Sequence, residues 1–148
     1  MILGLNERPQ DAAAAIDASG AILRYGELLS FSERIGSLLP ARSLLFLLTE
    51  NNVGGIAWSM GCIHSGNVPL ILNAHIEEEL YRNLFAIYRP SYVCLPTSMA
   101  SALRYEKVCE YYGYTLFHTR MEQCALHADL SHLLPTSGST GSPKLVRH

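Results

Sequence analysis

The chain has 148 residues, 49% of them hydrophobic and 16% charged, which is enough apolar material for one domain with its own core and excludes a disordered segment. Eleven basic residues against 13 acidic ones give a formal net charge of −2, which excludes a broadly basic nucleic-acid surface and a polybasic membrane anchor. Any anion bound here must be held by a local arrangement of groups.

Residues 1–9 lack the long apolar stretch of a signal peptide. The richest apolar run, residues 44–48, is far below the ~20 residues a membrane-spanning helix requires. A soluble, cytoplasmic protein with no membrane or nucleic-acid partner is expected. Cys62, Cys94, Cys109 and Cys124 form no C-x-x-C pair and read as reduced thiols. His127 and His132 have no nearby cysteine, so no metal ligand is assigned.

In chain order, residues 12–24 carry a turn signal, Asp17-Ala18-Ser19-Gly20, between two short apolar stretches and predict a β-hairpin. Leu28, Phe31, Ile35 and Leu38 recur at three- and four-residue steps and predict a helix over residues 25–39, limited by Pro40. Residues 44–48 read as a strand buried on both faces. Ile56, Met60 and Ile63 form a stripe on a helix ending near Ser65-Gly66. Residues 68–72 read as a strand, with Pro69 placing it at an edge or a strand start.

Ile76, Leu80, Leu84 and Ile87 then share a helical face, with Glu77, Glu78 and Glu79 in the first turn and Asn73 as a plausible cap. Pro90 lies just beyond. Residues 92–95 read as a strand, residues 99–112 as a helix stopping at Gly113, and residues 114–117 as a further strand. Residues 119–131 carry no clear pattern. This alternation predicts an α/β fold in which helices flank a layered, mainly parallel sheet, as a single domain over 1–148.

The chemistry is concentrated in residues 134–148. An apolar lead-in, Leu133-Leu134-Pro135, is followed by Thr136, Ser137, Gly138, Ser139, Thr140, Gly141, Ser142, Pro143 and Lys144. Glycines let backbone N–H groups approach an anion, the hydroxyls add donors, and Lys144 adds a charge that pairs with phosphate oxygens. A flexible Ser/Gly linker would need neither the lysine after proline nor the apolar lead-in. A Walker-type loop requires G-x-x-x-x-G-K-[ST]. Here Lys144 follows Pro143, and Leu145 replaces the hydroxyl.

The run from Thr136 to Lys144 resembles the T-S-G-[ST]-T-G-x-P-K loop of the adenylate-forming superfamily, which includes acyl- and aryl-CoA synthetases, luciferases and the adenylation domains of nonribosomal peptide synthetases. Leu145 stands where most relatives have glycine. Leu23-Arg24-Tyr25-Gly26-Glu27-Leu28 is similar to the family's [ST]-Y-x-E-L segment, with Arg24 in place of the capping hydroxyl. Residues 62–70 look like its A-x-x-x-G-x-x-x-x-P region, slightly shortened.

The resemblance implies the N-terminal part of the large domain of an ATP- and Mg²⁺-dependent acid–AMP ligase. A carboxylic acid would attack the α-phosphorus, and the acyl group would pass to coenzyme A or a carrier protein's phosphopantetheine. It assigns phosphate binding to Thr136, Ser137, Gly138, Ser139, Thr140 and Gly141 and a catalytic role to Lys144. Relatives are several times longer, so no adenylation is expected of this chain alone, and self-association through a truncated face is expected. A non-catalytic nucleotide- or phosphate-binding module remains the alternative, and a structural domain whose Ser/Gly tail has no role is a third reading.

Overall fold

The structure, a computed structural model, describes residues 4–123 and 125–135, and the backbone of 145–147. The expected first hairpin forms from β1 (Ala13–Ile16) and β2 (Ile22–Arg24), paired antiparallel as a separate two-stranded ribbon. Gly20 takes φ +87° in its turn, a conformation that glycine adopts without steric cost.

Helix α1 (Tyr25–Leu38) follows directly. The Glu27 carboxylate accepts the Arg24 backbone N–H at 2.7 Å. The Arg24 guanidinium has no acceptor, so only this glutamate half of a capping box forms. Arg24 donates instead to the Asp11 carbonyl at 2.6 Å. Leu28, Phe31 and Ile35 are buried as expected, but Leu38 is 41% exposed. The chain leaves the helix at Leu39 in extended conformation, and it is Leu39 that is buried.

The sheet is built on β3 (Leu44–Thr49), whose first five residues are all buried. Helix α2 (Val53–His64) corrects a second stripe. Ile56 is 37% exposed and Met60 half-buried, and Ala57, Trp58, Gly61 and Cys62 form the buried face with Ile63. A Cβ on Gly61 would lie 3.0 Å from Ile35 Cδ1 and 3.2 Å from Phe31 Cδ1, so α1 approaches α2 closely at Gly61, with Phe31 edge-on to Trp58 at 5.0 Å. The Ser65-Gly66 stop is present, with Gly66 at φ +84°.

Strand β4 (Val68–Asn73) pairs parallel with β3 in unbroken register from Leu44↔Val68 to Thr49↔Asn73. It is an interior strand, and Pro69 stands at its start. Helix α3 (Glu78–Tyr88) has Glu77 as its N-cap. Asn73 does not cap it. Its side chain accepts from His75 N–H at 2.8 Å and its carbonyl from Ile76 N–H at 3.0 Å, which shapes the turn between strand and helix. Leu84 is fully buried, Ile76 and Leu80 are partly buried, and Ile87 is 60% exposed. Tyr81 and Phe85 take the place of Ile87 in the packing, each edge-on to Phe46 with centroids 5.9 and 5.8 Å away.

Strand β5 (Tyr92–Pro96) is buried throughout. The helix expected over 99–112 does not form. The chain makes a 3-10 segment, Thr97–Ala102, and then strand β6 (Glu106–Tyr111), which pairs antiparallel with β7 (Tyr114–His118). Tyr112 and Gly113 between them both take positive φ, 55° and 77°, the backbone of a two-residue hairpin turn. The glycine expected to stop a helix instead turns a hairpin.

Residues 119–123 and 125–132 contain no helix or strand but are pinned across the start of the sheet. Gln123 accepts from Leu44 N–H at 2.8 Å and donates to the Arg42 carbonyl at 2.7 Å, while Arg42 donates to the carbonyls of Leu130 and His127. Two short strands complete the sheet: β8 (Leu133–Pro135) and β9 (Leu145–Arg147).

The seven-stranded sheet has the order β6-β7-β5-β3-β4-β8-β9. Its centre, β5-β3-β4-β8, is parallel, and its two margins are antiparallel. Alternation along the strands divides the core in two. Leu45, Leu47 and Cys94 pack with α1 and α2, and Leu44, Phe46, Leu48 and Val93 pack with α3. The expected α/β layering is therefore present. No helix among the described residues is long and apolar enough to cross a membrane.

Candidate phosphate-binding edge of the sheet

Thr49, Asn73 and Pro135 end three neighbouring parallel strands at the same edge of the sheet. In open α/β sheets ligands bind outside this carboxyl edge, where helix N-termini and loops converge. Leu133 pairs with Leu70, so the chain leaves β8 beside the last residues of β4. It returns at Leu145, the antiparallel partner of Pro135. Pro135 and Leu145, which flank residues 136–144 in the sequence, therefore both stand at the carboxyl edge. Thr136, Ser137, Gly138, Ser139, Thr140, Gly141 and Lys144 lie outside the described residues.

The neighbouring loop, from β3 into α2, is built by residues that sequence reasoning did not single out. Asn52 Oδ1 accepts the Gly55 N–H at 2.9 Å, capping α2, and also accepts the Tyr114 hydroxyl at 2.8 Å. The same hydroxyl accepts from Glu50 N–H at 2.9 Å. Burial pushes the Tyr114 phenol above its ordinary range, so it stays a neutral donor. Gly54 makes room for this arrangement: a Cβ there would meet the Tyr112 carbonyl at 2.2 Å and Tyr114 Cε1 at 2.6 Å. Asp17, from the β1–β2 turn, accepts Val53 N–H at 3.0 Å at the start of α2. Its bonds from the Ser19 side chain and from Val53 N–H hold its carboxyl below the usual carboxylate range. The Asn52-Val53-Gly54-Gly55 run was a readable helix start. The part of Tyr114, contributed across the sheet, was not.

Glu50 and His75 close the ends of β3 and β4, 3.7 Å apart and largely exposed. On the α3 face of this edge lies a cavity of about 310 Å³, bordered by Leu48, Ala74, Tyr81, Leu95, Met99 and Leu103. Among the described residues no group of three His, Cys, Asp or Glu side chains is arranged to hold a metal ion. Cys62 and Cys94 are buried free thiols and Cys109 is a partly buried one, all with pKa values raised by burial, while Cys124 lies outside the described residues.

A mixed sheet with a parallel centre and, among the described residues, two helices on one face and one on the other is a fold found within several solved structures. Apo MatB from Rhodopseudomonas palustris superposes with a TM-score of 0.67 at 19% identity, over 97% of this chain and 33% of that one. O-succinylbenzoate coenzyme A synthetase (MenE) from Bacillus subtilis, in complex with AMP, gives 0.61 at 16% identity, over 90% of this chain and 38% of that one. The N-terminal subdomain of Klebsiella oxytoca NpsA, in complex with 3-hydroxybenzoyl-AMSN, gives 0.62 at 16%, over 97% and 38%. The chain thus spans about a third of the length of these structures, and at such identities the likeness is one of fold. The sequence matches no protein-family model and no curated protein.

Proposed function

We propose that this chain is the N-terminal part of an ATP-dependent acid–AMP ligase, and that residues 134–148 are its phosphate-binding segment. The observation that carries the reading is that Pro135 and Leu145, which flank this donor-rich run in the sequence, both stand at the carboxyl edge of the sheet, where β8 lies beside β4.

In the reaction, a carboxylate oxygen of the acid bonds to the α-phosphorus of ATP, the bond to the bridging oxygen breaks, and pyrophosphate leaves. The thiol of coenzyme A or of a carrier protein's phosphopantetheine then bonds to the acyl carbon and gives up its proton, the acyl–phosphate C–O bond breaks, and AMP leaves. The acid supplies the nucleophile, so the work of this chain is to bind and orient. The hydroxyls of Thr136, Ser137, Ser139 and Thr140 and the backbone N–H groups at Gly138 and Gly141 hold the β- and γ-phosphates. Lys144 neutralises the charge that collects on the departing pyrophosphate. The donor set suits the phosphate oxygens of ATP and includes no carboxylate, so Mg²⁺ would be carried on those oxygens. The site of action is the cytoplasm.

Titration calorimetry with pyrophosphate and with Mg·ATP tests the binding role directly on this chain. One charge-assisted hydrogen bond contributes about 1.5–3 kcal/mol, so Lys144→Ala should weaken binding by roughly ten- to a hundredfold. No binding by the unmodified chain, or equal binding by the variant, rejects the assignment.

A further inference from the structure

The cavity of about 310 Å³ on the α3 face has a wall of one chemical kind. Leu48, Ala74 and Leu95 border it from the carboxyl ends of three adjacent parallel strands, where α/β sheets take their ligands. Met99 and Leu103, in and just after the 3-10 segment, add further apolar surface. Glu78 and Arg82, the charged residues on this border, are exposed and paired with each other. Tyr81 of α3 also borders the cavity, and its hydroxyl is buried with no hydrogen-bond partner among the described residues. Burial pushes this phenol above its ordinary range, so it remains a neutral donor. Folded interiors leave few such donors unpaired, because each has given up water and gained nothing in return.

We propose that this cavity binds a small uncharged molecule, an apolar ring or chain with one carbonyl or ether oxygen that accepts the Tyr81 hydroxyl. Size, charge and hydrogen bonding each narrow the class. An apolar cavity of ~150 Å³ takes a benzene, so one of about 310 Å³ suits a single ring with a short substituent. A carboxylate would lose its water without gaining a counter-charge, since Arg82 already holds Glu78. A pure hydrocarbon would fill the space and leave the Tyr81 hydroxyl unpaired. An uncharged molecule with one acceptor meets all three conditions. The proposal is independent of the phosphate-binding reading, because none of the residues it uses belongs to 134–148.

Amide NMR titrations of this chain with acetophenone, ethylbenzene and benzoate test it, since the three are similar in size and differ in the group offered to Tyr81. Acetophenone should bind roughly tenfold more tightly than ethylbenzene, and benzoate most weakly. The shifts should group around residues 48, 74, 81 and 93–103. Tyr81→Phe should abolish the preference for acetophenone over ethylbenzene. Without ligand, the same variant should be no less stable than the parent in urea unfolding, because it deletes a hydroxyl that has no partner. Acetophenone bound no more tightly than ethylbenzene, shifts centred elsewhere, or a Tyr81→Phe variant that keeps the preference or loses stability overturns the proposal.

Discussion

At the scale of single residues, the loop beside the candidate site depends on one amide and one phenol. Asn52 Oδ1 takes the first-turn N–H of Gly55 and the Tyr114 hydroxyl, and that hydroxyl takes the Glu50 N–H, so the exit from β3 and the start of α2 are held by one network. Gly54 is the condition for it, because a methyl group there would overlap the Tyr112 carbonyl, which is backbone and cannot rotate away. Gly54→Ala should cost about 3 kcal/mol, at the upper end of ordinary overpacking, read as a lower urea midpoint with an unchanged slope. Gly20→Ala offers a contrast, since nothing lies within 4 Å of its Cβ position and only the backbone strain at φ +87° opposes it. The anion donors of 136–144 were legible from residue order alone. Tyr114 was not, because its partners Glu50 and Asn52 lie more than sixty residues away in the chain.

Among the elements, the segment before Gly113 shows how local signals divide. In the sequence, residues 99–112 read as a helix and Gly113 as its stop. Pairing with β7, itself held against β5, gives β6 a ladder of strand hydrogen bonds along one side, and Tyr112-Gly113 supplies the two positive-φ positions the hairpin needs. Gly113→Ala should lower stability by about 1–2 kcal/mol through left-handed strain alone, its Cβ meeting no atom within 4 Å, and equilibrium unfolding in urea measures it. The exposed stripe residues Leu38, Ile56 and Ile87 teach a related lesson. Periodicity finds the helix in each case. Which flank is buried depends on the neighbour, and α1 meets α2 through Phe31 and Ile35 at Gly61 and Trp58.

For the molecule as a whole, the parallel centre carries both the stability and the site. Phe46 is fully buried in β3 and touches Tyr81 and Phe85 of α3, so it joins sheet to helix on the less covered face. Phe46→Ala should cost about 3–5 kcal/mol, a large share of the 5–15 kcal/mol typical of a domain, and denaturant unfolding should show it. By itself the sequence determined the α/β alternation, the strands at 44–48, 68–72 and 92–95, the helices α1, α2 and α3 and the residue types offered to an anion, because each rests on contacts among near neighbours in the chain. Tertiary structure alone decided the strand order, the antiparallel margins, the β6 strand in place of a helix and the flank each helix buries. It also decided that Pro135 and Leu145 stand at the carboxyl edge beside β4. These depend on pairing between segments distant in sequence, where hydrogen-bond completion and close packing outweigh local preference.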